Sequence, residues 1–172
     1  MSPSSEFIHW IGRLVKFFGL EESIGIIWGF ILLKGKPVTQ REIVEETGYS
    51  TSLVSSSLSK LERLGFITCI GKEGRRKLYR ASKSFLDGLE SYLKRLTEIE
   101  VNNAIYHLSK EAEKIKDSVI KKNAERILND YEKLKLFLNS FIEMMHKYKH
   151  LSKEELSNML LSVEKGNSVY ST

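Results

Sequence analysis
Cysteine is almost absent. Cys69 stands alone among 172 residues, so no disulfide can close within the chain. That suits a reducing compartment. The start also lacks a charged segment followed by an apolar one, the mark of a secretory signal. A cytoplasmic protein is expected. Long hydrophobic runs are missing as well. Residues 24–33 form a nearly continuous apolar run, but a bilayer needs about 20 such residues in a row. No membrane partner is expected. The signatures of catalysis are missing too. There is no nucleophile elbow, no phosphate-binding loop, no HExxH and no cluster of catalytic carboxylates. The many serines read as helix caps and a contact face. The sequence therefore argues against an enzyme, and no cofactor is implied. His146 and His150 lie four apart on one predicted helix, with Glu143 nearby. Two ligands without a third set do not make a metal site, and exposed helix histidines are the ordinary reading. His9 and His107 have no motif around them.

What the sequence does hold is basic charge in one place. The net charge is +5. Residues 36–83 contain ten cations and five anions, so this segment carries the whole excess. Such a footprint fits a polyanionic partner. A membrane surface would attract the same charge, but the segment offers no broad apolar face for insertion.

The stretch 39–81 reads TQREIVEETGYSTSLVSSSLSKLERLGFITCIGKEGRRKLYRA. Thr39 with Glu42 three residues later makes a capping box, which starts a helix. Ile43 and Val44 are its apolar residues. Gly48 ends it, because glycine accepts the left-handed conformation of a helix stop. Ser50 caps a second helix, predicted over residues 51–64. At helical spacing Leu53, Val54, Ser57, Leu58, Leu61 and Leu64 fall on one side and should be buried. Ser52, Ser55, Ser56, Ser59 and Arg63 fall on the other, with Lys60 on the flank. Serine is a middling helix former, and a solvated face usually carries long charged side chains. Small hydroxyls suit a face that must approach a groove and bond base edges or phosphates. The plain alternative is a solvated face of small residues. Gly65 stops this helix. Residues 66–70 are rich in β-formers, residues 71–74 form a glycine turn, and residues 75–80 return as a strand. A charged hairpin alone is usually an edge kept soluble. Helix, tight turn, serine-faced helix and basic hairpin in that order describe a winged helix-turn-helix domain.

SLVSSSLSKLERLGFI followed by GKEGRRKLYRA resembles the winged-helix regulators of the MarR superfamily. GLEESIGIIWGFILLKGKPVTQREI, upstream, is similar to the lead-in of its GbsR-like branch in bacteria and archaea. The resemblance covers residues 6–85, about half the chain. It implies a homodimeric transcriptional regulator of operator DNA with a helical C-terminal half. It also offers oxidant sensing at Cys69, beside the plainer reading of a buried, inert strand thiol. GbsR-like regulators respond to choline-type cations, which suit aromatic faces. Trp10, Phe17, Phe18, Trp28 and Phe30 concentrate near the N-terminus. Core is their ordinary role. A pocket for a small-molecule effector, between the winged domain and the helical half, is the functional one.

The remaining chain reads as helices. Residues 1–5 should fray, and Ser4 or Ser5 can cap a helix over 6–18 with Phe7, Ile11, Leu14, Val15 and Phe18 as its stripe. A second helix over 21–33 is apolar all round and must be central to a core. Gly25 and Gly29 would permit close helix contact there. Pro37 and Val38 form a short strand that pairs with the hairpin. Ser82 or Ser84 opens a long helix. Residues 109–117 are polar, either exposed helix or a connection. A helix over 117–148 follows, where Ile127, Tyr131, Leu134, Leu138, Phe141 and Met145 form a heptad seam. Ser152 with Glu155 caps a last helix.

The fold class is mainly α, an α+β winged helix with long flanking helices that form a dimerisation module. The expected division is 1–35 for the N-terminal helices, 36–83 for DNA binding, 84–165 for dimerisation and 166–172 for a loose tail. The expected partners are double-stranded DNA and a second copy of the chain. Ser50, Thr51, Ser52, Ser55, Ser56 and Lys60 are the candidates for groove contacts, and Lys72, Arg75, Arg76 and Lys77 for flanking DNA. The alternatives are a winged-helix adaptor that binds protein and an architectural DNA binder without sequence preference.

Overall fold
The computed structural model describes residues 3–82 and 84–167. Met1, Ser2, Lys83 and residues 168–172 lie outside the described residues, and of the expected tail 166–172 the first two residues belong to the last helix. The chain divides into two compact units, Met1–Ala104 and Ile105–Thr172.

The first unit opens with α1 (Pro3–Lys16) and α2 (Glu22–Lys34). α1 begins earlier than expected, so the backbone of Ser4 and Ser5 is already helical rather than capping. α2 is buried from Ile24 through Ile31, as an all-round apolar helix must be. The two helices pack closely because glycine lines the crossing. A Cβ on Gly25 would lie 2.7 Å from the Gly12 Cα, and one on Gly29 would meet Ile11 at 3.2 Å. Only part of the expected α1 stripe is covered. Val15 is buried, whereas Phe7 and Leu14 face solvent.

Next come β1 (Val38–Thr39), α3 (Gln40–Thr47), α4 (Thr51–Arg63), β2 (Ile67–Glu73) and β3 (Arg76–Ala81). The strands form an antiparallel sheet in the order β1-β3-β2. Val38 pairs with Tyr79, so the short strand does join the hairpin. Thr39 caps α3 with its hydroxyl on the Glu42 N–H, while the Glu42 carboxylate accepts from the Thr39 N–H at 2.6 Å. Gly48, at φ 71°, closes α3, and the Ser50 hydroxyl caps α4 by accepting from the Leu53 N–H. This is a winged helix domain.

Two local features differ from the sequence expectation. The hairpin turn is tighter than residues 71–74: β2 runs on to Glu73, and only Gly74 and Arg75 separate the strands. Gly71 instead sits beside a register shift in β2, at φ 152°. Leu53 and Leu64 are not core residues. Leu53 lies in the first turn of α4, where it is exposed, and Leu64 is the C-terminal cap, only half-buried.

α5 (Phe85–Arg95), capped by Ser84, continues without a break through a π-helical turn (Leu96–Val101) into α6 (Asn102–Lys114). Trp28 of α2 joins the start of α5 to the base of the wing. Its ring lies 4.5 Å from Phe66 and 5.1 Å from Phe85. Trp28 is fully buried, and its Nε1–H has no hydrogen-bond partner among the described residues.

The second unit holds the rest of α6, then α7 (Ser118–Tyr148) and α8 (Lys153–Asn167). Residues 115–117 form the connection, and the Asp117 carboxylate accepts from the N–H groups of Val119 and Ile120, both at 2.9 Å. Ser152 and Glu155 cap α8 reciprocally. Along the α7 seam, Met145 is buried, but Ile127, Tyr131, Leu134 and Phe141 are exposed in the single chain.

Candidate nucleic-acid interface
α4 separates its two kinds of side chain cleanly through its middle. Val54, Ser57, Leu58 and Leu61 are buried. Ser52, Ser55, Ser56 and Ser59 are exposed. The hydroxyls are partly engaged along their own helix. Ser56 donates to the Leu53 carbonyl at 3.0 Å and Ser59 to the Ser55 carbonyl at 3.1 Å. Ser50 caps the helix and stands 3.1 Å from the Ser52 hydroxyl. Such bonds hold a serine close to the helix, so this face is low and smooth. Thr51 opens the helix and is also exposed.

Lys60 differs from the serines. Its ammonium donates to both carboxylate oxygens of Glu21, at 3.0 and 3.1 Å. Glu21 is the residue that precedes α2, and the Lys60 bond holds its carboxyl below the usual range. Lys60 must therefore exchange Glu21 for a phosphate if it is to touch DNA.

The wing carries its cations in solvent. Lys72, Arg75, Arg76 and Lys77 are all exposed. Arg76 faces Glu73 across the hairpin, but Lys72 faces Lys77 directly. Like charges in that register repel, and an anion laid along the hairpin would relieve them. Cys69, in β2, is half-buried. Its thiol points to the Gly71 carbonyl at 3.6 Å, and its N–H donates to Glu62.

The fold brings two further residues to the wing. Gln40 and Arg41 follow β1 directly, and β1 pairs with β3, so they line a cleft together with Thr51, Arg75, Arg76 and Lys77. The expected pairing of Val38 with the hairpin was the signal that could have found them. Arg41 also bonds Glu45 on its own helix, which raises the guanidinium pKa above its ordinary value.

The five N-terminal aromatics do not meet in one pocket. Trp28 and Phe30 are buried and Phe17 is exposed. Phe18 lies edge-on to Tyr92 at 6.2 Å. Trp10 alone among them lines an apolar groove of about 420 Å³, with Phe7, Leu14, Leu33 and Phe85. The Arg13 guanidinium already covers the Trp10 ring at 4.8 Å, so a choline-type cation would have to displace it. Among the described residues no group of three or more His, Cys, Asp or Glu could hold a metal ion. No described helix is long and apolar enough to cross a membrane.

Residues 30–76 match the sequence model of the MarR family. A solved structure described as a transcriptional regulator superposes with a TM-score of 0.63 at 14% identity, over 86% of this chain and 100% of its own. At that identity the likeness establishes the fold. No curated protein matches the chain.

Proposed function
We propose that this chain is a sequence-specific DNA-binding transcriptional regulator, non-enzymatic, that works in the cytoplasm as a homodimer. Within the MarR superfamily, the GbsR-like branch is the finer placement, on the likeness of residues 6–85. α4 enters the major groove, where Ser50, Thr51, Ser52, Ser55, Ser56 and Lys60 contact bases or phosphates. Lys72, Arg75, Arg76 and Lys77 hold the flanking backbone or reach into the minor groove. A second copy places a second α4 about 34 Å away, or a multiple of that, one helical turn of DNA. A small-molecule effector belongs to this reading, seated in the groove beside Trp10.

The observation that supports the reading most is the division of α4. Its apolar side lies in the core, its serine side stands in solvent, and its first residue shares a cleft with the cationic wing. The test is binding to duplex DNA across a salt series. Arg75→Ala with Arg76→Ala should weaken binding to every sequence. The slope of log K against log salt should become shallower, by about 0.9 for each phosphate that is no longer neutralised. An unchanged slope removes the wing from the contact surface. Ser55→Ala with Ser56→Ala should instead shift the sequences selected from a randomised operator. Equal weakening on all sequences would mean that α4 does not read bases. Easy competition by bulk DNA would favour an architectural binder, and negligible DNA affinity at moderate salt a protein adaptor.

A further inference from the structure
The cleft between α3 and the wing has a volume of about 400 Å³. Its walls come from three elements. α3 supplies Gln40 and Arg41, α4 supplies Thr51, and the wing supplies Arg75, Arg76 and Lys77. We propose that this cleft is an oxyanion seat that takes one phosphate group, gripped jointly by Arg41 and the wing cation Lys77. It deepens the DNA-binding reading by giving Arg41 a role in it, and the seat itself stands on the cleft's own chemistry.

Charge is the first argument. Four cations line the cleft, and no acidic residue lines it. Glu45 bonds Arg41 from outside, and Glu73 faces Arg76 across the hairpin. Among the described residues, Arg75, Arg76 and Lys77 form no ion pair. Lys77 also faces Lys72 directly, a repulsion that a bound anion offsets.

Bracing is the second. The Gln40 side-chain amide donates to the Thr51 carbonyl at 3.0 Å, which ties the start of α3 to the start of α4. β1 pairs with β3 through Val38 with Tyr79 and Thr39 with Leu78. The two walls are thus fixed to each other by backbone bonds. The positive end of α4 opens at Thr51 beside the cations, where a helix favours an anion.

A phosphate could reach this seat from a DNA backbone or from a free phosphorylated small molecule. Both present the same tetrahedral oxyanion, and one set of variants separates them. Arg41→Gln, Lys77→Gln and the double variant are made in the full chain, with circular dichroism to check folding. For duplex DNA, either single variant should change the salt slope little, because its partner still neutralises the phosphate. The double variant should have a slope shallower by about 0.9. A double variant with the wild-type slope overturns the seat for DNA. Two single reductions of about 0.9 that add in the double also overturn it, since each residue then holds its own phosphate. For free anions, inorganic pyrophosphate is titrated into the wild type by calorimetry at low salt. Binding that the double variant abolishes, and that competes with DNA, assigns the seat to a small phosphorylated ligand. No pyrophosphate binding, with the DNA result as expected, assigns it to the backbone. Absence of both effects, on DNA and on pyrophosphate, overturns the proposal. A wild type that binds pyrophosphate in the cleft but not DNA sinks the regulator reading alone.

Discussion
Gly88 has no space for a methyl group. A Cβ there would lie 2.5 Å from Trp28 Cζ2 and 3.1 Å from Phe66 Cδ1. Both rings are buried, so neither can swing aside. Overpacking of this kind usually costs about 1–3 kcal/mol, and the gain in helix propensity returns about 1 kcal/mol. Gly88→Ala should therefore destabilise the first unit by a net amount of up to about 2 kcal/mol. Urea denaturation followed by tryptophan fluorescence reads the outcome, and wild-type stability would show that the rings do shift. Nothing in the sequence marks this contact. A glycine inside a predicted helix says only that a side chain is missing, not what stands in its place. Lys60 teaches the same lesson. Its flank position on α4 was legible, but its bond to Glu21, 39 residues away, was not.

At the level of the element, helix ends were the most readable features. Thr39, Ser50 and the Ser152–Glu155 pair all cap as local bonding rules require. Those rules act over three or four residues, so no tertiary knowledge is needed. Thr39→Ala should cost about 0.5–2 kcal/mol by removing the cap, read as a lower urea midpoint. Glu42 adds a pH signature. The Thr39 N–H and hydroxyl bond its carboxylate and hold its pKa below the ordinary value. A depressed folded pKa means that this stabilisation is complete above the unfolded carboxylate pKa. It is lost as pH falls through the lower folded value. Stability should therefore decline on acidification, and Glu42→Gln should decline less over the same range. Parallel acid limbs in the two proteins would refute that. The wing was harder to place. A predicted turn over residues 71–74 follows from two glycines, yet only Gly74 turns. The register with β3 decides which one does, and register is a property of the pair.

For the whole molecule, apolar surface is the main issue. The seam residues Ile127, Tyr131, Leu134 and Phe141 are exposed in one chain, as are Leu136 and Phe137 beside them. A soluble helix seldom shows so much apolar side chain without a partner. In the homodimer we propose, a second copy covers it. Leu134→Glu with Phe137→Glu should then give a monomer in analytical ultracentrifugation. Operator affinity should fall about a hundredfold or more, because paired sites bind through effective concentration. A double variant that stays dimeric places the dimer contact elsewhere, and the exposed side of α1 at Phe7, Trp10 and Phe17 is then the next candidate.

Near-neighbour physics reaches a few residues along a chain. The sequence by itself therefore determined the caps of α3, α4 and α8, the amphipathic sides of α4, the buried run of α2 and the concentration of charge in residues 36–83. Approach between distant segments depends on many weak contacts at once and leaves no local mark. Only the tertiary structure decided that Glu21 occupies Lys60, that Leu53 is left outside the core and that Gly88 makes room for Trp28.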